Sequence, residues 1–236
     1  MGLPVGTIVL IIVAILVFFG VLHRVLDRMR LSDRAALVII LLMAAGTFID
    51  IPVSRGAIPV SINVGGALVP LAVAIWLTVT AEDGGDRLRA ILAPVITGGV
   101  IWGLSKVLNP EEQLMSVPPM IIFGLAAGVI AALSGRSRRA AFVGGVGGII
   151  VADIIHWIEL LSTGIPGSVD FGGAGTFDAT VIAGVLAVGL IEIVGEAREH
   201  VVKQGAGEHE DRRRERLGEG REDAGESRED GRDERE

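Results

Sequence analysis

An all-α membrane protein of about seven transmembrane helices, followed by a charged tail, is what this sequence predicts, and three observations predict it. Half of the 236 residues are hydrophobic and mean hydropathy is +0.59, although 21% of residues are charged. The charge is segregated: residues 196–236 hold 15 of the 28 Asp/Glu and 10 of the 21 Lys/Arg, leaving 13 acids and 11 bases over residues 1–195. Those first 195 residues contain seven apolar stretches near the ~20 residues a helix needs to cross the hydrocarbon core. Together these features exclude a soluble enzyme and a nucleic-acid binder with a basic face, and the lack of Cys excludes a disulfide-stapled secreted domain. The expected partner is the lipid bilayer of the cell membrane, not nucleic acid, and no motif calls for a cofactor.

The stretches are 3–22, 35–53, 62–80, 90–108, 118–133, 140–161 and 177–195. The first has no basic start and no small-residue cleavage site, so it reads as a retained span rather than a signal peptide. The fifth is short, and Pro118-Pro119 suit its first turn, where backbone N–H groups lack helical partners in any case. Loop charge then sets direction. Arg24, Arg28, Arg30, Arg34, Arg87, Arg89, Arg136, Arg138 and Arg139 lie in alternate loops, and the intervening loops hold only Arg55 and Lys106. This positive-inside bias places the N-terminus outside and the tail in the cytoplasm.

Helices in lipid associate through close packing and interhelical hydrogen bonds. Gly99-x-x-x-Gly103, Gly124-x-x-x-Gly128 and Gly144-x-x-x-Gly148 each place two small residues on one helical face, and together they predict a tight bundle. Two outer connections are unusual. Residues 51–66 contain Pro52, Pro59 and the alternating run Val60-Ser61-Ile62-Asn63-Val64, which reads as extended chain. Residues 162–177 contain five glycines and Pro166, and cannot be helical throughout. Both are broken segments that either re-enter the membrane, where protein or a wet cavity must satisfy the backbone, or lie as surface loops.

Ionisable residues at membrane depth cost several kcal/mol and mark pathways or sites. Asp50 falls near the outer end of the second span, Asn63 opens the third, and Asp178 heads the seventh. Asp153 lies about 20 Å along the sixth, at 1.5 Å per residue, with His156 and Glu159 further out. Asp153, His156 and Glu159 share an arc of about 120°, on or beside the line of Gly145 and Gly148, so this polar face looks into the bundle. Asp178 also suits a capping role at the positive end of its helix. Glu192 reads as a side chain reaching the cytoplasmic interface, Lys106 as one reaching the outer interface, and Trp102 and Trp157 as interfacial belt aromatics.

The segment Ile62-Asn63-Val64-Gly65-Gly66-Ala67-Leu68-Val69-Pro70, with Gly172-Gly173-Ala174-Gly175-Thr176-Phe177-Asp178, resembles a prokaryotic membrane family catalogued as domain of unknown function 1614. The resemblance covers most of residues 1–195 and excludes the tail; it implies a fold type and a membrane location, with no activity. A second resemblance is to intramembrane aspartyl proteases of the presenilin type, which carry one Asp on each of two neighbouring spans. Here Asp153 and Asp178 occupy spans six and seven, and Gly173-Ala174-Gly175 precedes Asp178. Thr176-Phe177 intervenes, no Tyr precedes Asp153 and no Pro-Ala-Leu follows, so no roles carry over.

Three functions follow, in order of expectation. The first is ion- or proton-linked transport, with Asp153 as carrier or ligand, Asp50, Glu159 and Asp178 as partners, and His156 and Asn63 beside them. Seven spans with no evident repeat are few for a carrier unless it forms a homo-oligomer. The second is a structural or accessory protein in which polar contacts only tie helices together. The third is a hydrolase, using Asp153 and Asp178 as an acid–base pair or His156 with carboxylates around a metal ion. The tail, almost without apolar residues after Val202, is expected to be disordered and solvated.

Overall fold

The computed structural model describes residues 19–20, 23, 31–108 and 118–195. The expected first span and the tail therefore lie outside the described residues, apart from Phe19, Gly20 and His23. Six helices dominate: α1 (Asp33–Gly46), α2 (Val69–Val79), α3 (Gly84–Val107), α4 (Pro119–Gly135), α5 (Arg138–Thr163) and α6 (Ala179–Gly195). Two of them, α3 and α5, are long and apolar enough to cross a membrane. With 24 and 26 residues they extend about 36 and 39 Å. The other four are shorter apolar helices.

Local sequence sets the helix starts. Ser32 accepts from Ala35 N at the head of α1, Asp83 from Gly85 N at α3 and Ser137 from Ala140 N at α5, each satisfying an N–H that has no partner within the helix. Asp83 explains why α3 begins at Gly84, earlier than the apolar run from residue 90: Arg87 and Arg89 ride on its first turns, and Arg87 donates to Val79 O and Ala81 O of the preceding turn. Helix α5 is the central element, packed on α2, α3 and α4. Its glycines allow this. A Cβ on Gly144 would meet Ala93 and Ala131 at 2.9 and 3.2 Å, one on Gly148 would meet Thr97 at 2.5 Å, and one on Gly145 would meet the backbone of Ala183 in α6 at 2.6 Å. Gly124 and Gly128 of α4 press on Ile182 and Leu186 in the same way. Gly99 and Gly103 differ from these pairs: a Cβ on either would meet nothing within 4 Å among the described residues.

The purely helical class needs correction. Three short strands form a mixed sheet: β1 (Asp50–Ser54) pairs antiparallel with β2 (Val60–Asn63), and β2 pairs parallel with β3 (Val169–Phe171). The two broken segments therefore pair with each other. The expected second span, 35–53, stops at Gly46, where Thr47 turns its hydroxyl back onto Met43 O and the chain extends into β1. The expected third span, 62–80, begins as strand, passes through a π-helical turn (Val64–Leu68) and becomes α-helix only at Val69, with Pro70 in its first turn. Glycine makes this junction. Gly66 lies so close to the loop before α6 that a Cβ would fall 2.2 Å from Gly172 O, and Gly172 and Gly175 adopt φ of +68° and +63°, a region that disfavours side chains.

Candidate functional site

The polar residues expected to converge in one cluster form three separate groups at the sheet-bearing end of the helices. Asn63 and Asp50 make the first. They face each other across the β1–β2 ladder, and Asn63, only 1% exposed, uses its whole amide. Its Nδ2 donates to Thr47 O (2.8 Å) and to Asp50 Oδ1 (2.9 Å), and its Oδ1 accepts from Gly66 N (2.8 Å). One buried side chain thus joins the end of α1, the start of β1 and the π turn. Nearby, Ser61 Oγ donates to Asp170 Oδ1 (2.5 Å) across β2 and β3.

The second group is Asp153 with Asp178. Asp178 caps α6: its Oδ1 accepts from Thr180 N (2.9 Å) and Thr180 Oγ1 (2.8 Å), and its Oδ2 from Ala174 N (3.3 Å). Its carboxylate is thereby held in the geometry of a helix N-cap. Asp153 is half-buried on α5, near enough to Asp178 for the two charges to repel each other. No hydrogen bond or ion pair reaches the Asp153 carboxylate from the described residues. Four residues on, the indole nitrogen of Trp157 is buried and has no hydrogen-bond partner either.

The third group lies where the last turns of α3 meet α5. Lys106 Nζ pairs with Glu159 Oε2 at 2.5 Å, Trp102 Nε1 donates to the same oxygen at 3.2 Å, and His156 Nδ1 lies 3.9 Å from it. Lys106 also stands 5.6 Å from the centre of the Trp102 ring. The arc shared by Asp153, His156 and Glu159 is therefore divided between neighbours, Asp153 toward α6 and Glu159 toward α3. Lys106 and Trp102, expected at the outer interface as single anchors, are the partners of Glu159. Their spacing of four residues puts both on one face of α3, but nothing local names Glu159 of α5 as their partner. Glu192, expected to reach for the interface alone, pairs through Oε2 with Arg138 Nε at 2.5 Å. Trp157 differs from a belt aromatic in that its N–H is buried.

Among the described residues no group of three or more His, Asp or Glu could hold a metal ion. The helix Asp153-x-x-His156-x-x-Glu159 does not provide one, because His156 and Glu159 group with Lys106 while Asp153 faces Asp178. The matched family model spans residues 17–190 and carries the description "Protein of unknown function (DUF1614)".

The chain belongs to this family.

The DUF1614 match covers every residue of the three polar groups and stops before the tail. No curated protein and no solved structure matches the chain.

Proposed function

We propose that this DUF1614 protein is a multi-pass protein of the cell membrane, with seven spans, an external N-terminus and a cytoplasmic tail, that passes a proton or cation by way of Asp153. The observation carrying this reading is a half-buried carboxylate, with no hydrogen bond or ion pair among the described residues, well inside a helix long and apolar enough to span the bilayer. Charge in that position is costly unless something binds it. The topology is supported by the nine arginines at and around alternate junctions between the apolar stretches and by Arg138 and Arg139 standing at the opposite end of α5 from Thr163 and the sheet. Hydrolysis by an Asp153–Asp178 pair is less well supported. An acid–base dyad needs both carboxyls free to exchange a proton with substrate, and both oxygens of Asp178 accept N–H or O–H bonds at the head of α6.

The test is reconstitution of the full chain into liposomes, with internal pH and cation signals followed for wild type and Asp153→Asn. Flux in wild type that disappears in the variant is the expected result. No flux under any imposed gradient, from protein that elutes and melts as a folded species, would overturn transport and leave a structural role. Accessibility of a C-terminal tag to impermeant label on intact cells would overturn the topology.

A further inference from the structure

Two polar groups on one face of α5 have no partner among the described residues: the carboxylate of Asp153 and the indole N–H of Trp157. Residues four apart on a helix are stacked neighbours, with Cβ atoms about 5–6 Å apart. That face is turned toward α6. Gly145, two turns below Asp153, touches the backbone of α6, Asp153 faces Asp178, and Trp157 packs on the core cluster that includes Phe171 of β3. One of the two groups is a pure acceptor when ionised and the other a pure donor.

The geometry points to a bound water held between Trp157 Nε1–H and the Asp153 carboxylate, which makes this face of α5 a proton-accepting site and not a metal-cation site. Water is the simplest guest that accepts from the indole and donates to the carboxylate, and buried waters settle where such otherwise unsatisfied groups converge. A metal ion fits poorly: an indole N–H presents its hydrogen to the guest, Asp178 has its oxygens occupied, and no third carboxylate or imidazole joins them among the described residues. A hydronium arriving in the same position gives one proton to an Asp153 oxygen, leaving a neutral carboxyl and a neutral water still on the indole; release reverses the step. Trp157 is then a positioning residue. This inference rests on the transport reading for its purpose, and names the proton as the ion.

The site is tested apart from flux. Labelling the full chain with 15N-tryptophan in micelles gives three indole signals, from Trp76, Trp102 and Trp157, and Trp157→Phe identifies the third. In wild type the Trp157 indole proton should show a cross-peak to water, and in Asp153→Leu that cross-peak should fall at least fivefold while the other two signals stay in place. Absence of the cross-peak in wild type, or equal intensity in the variant, would overturn the site. If Asp153→Leu does not fold, Asp153→Asn replaces it: a displaced Trp157 signal is expected, and an unmoved one overturns the pairing. In liposomes, Trp157→Phe should cut proton flux about tenfold, and sodium or calcium gradients at equal pH should drive none; uptake of either metal overturns the proton assignment. Bound water without flux would sink transport alone, and flux without bound water would sink the site alone.

Discussion

Asn63 and Asp153 are both polar side chains set inside an apolar protein, and their surroundings are opposite. Asn63 has every donor and acceptor that matters engaged with two backbone groups and one carboxylate, so it behaves as a fastener. Asp153 has none among the described residues, within a helix whose neighbours are packed backbone to backbone. A satisfied buried polar group specifies structure, and an unsatisfied one weakens the fold unless something outside the chain completes it. The contrast teaches where to look for function: in the second region, not the first.

The comparison can be broken most violently at the glycine junction that holds the Asn63 region together. Gly66→Val should cost about 4 kcal/mol or prevent folding, because its side chain would enter the carbonyls of Gly172 and Gly175. Chemical unfolding in detergent, or loss of the monodisperse peak, reads this. Asn63→Ala should cost about 2–4 kcal/mol, since Gly66 N, Thr47 O and Asp50 all lose a partner. Asn63→Asp should be worse than Asn63→Ala, because it removes the donor and sets a like charge beside Asp50. Equal midpoints for the two variants would show that the amide is not the fastener. Asp178→Ala should cost about 1 kcal/mol as the loss of an N-cap, and Asp178→Asn much less. Asp153→Asn closes the series with the smallest change and the opposite sign: neutralising a half-buried carboxylate with no partner among the described residues should leave the unfolding midpoint unchanged or raise it slightly. A clear fall would mean that Asp153 is a structural residue after all.

Much of the helical plan was legible because apolar length and glycine spacing are local properties. The α5 boundaries, Arg138 to Thr163, lie within two residues of the expected 140–161, framed by Ser137 and by Gly164 at φ +67°. What was not legible depends on partners far away in the chain. The run Val60-Ser61-Ile62-Asn63 reads as extended from its alternation, yet nothing near it announces Val169-Asp170-Phe171 as its parallel neighbour. The site residues show the same limit. Helical spacing put Asp153, His156 and Glu159 on one arc, but only the placement of α3 on one flank and α6 on the other separates them. The cap at Asp178 was readable, since the residue stands before an apolar run. The pairing of Asn63 with Asp50 was not, because Asp50 was read as the end of a helix whose chain had already turned at Thr47.

The parallel pairing of β2 with β3 carries a consequence for how the protein is made. Ser61 and Asp170, bonded side by side, are 109 residues apart in sequence. Translation releases the chain from its N-terminus, so β1 and β2 wait as an open hairpin while α2, α3, α4 and α5 are laid down. Closing so long a loop is entropically unfavourable and slow. The sheet is therefore the last part to assemble, a latch that closes on helices already formed, and until it closes the edge of β2 stands open to pairing elsewhere.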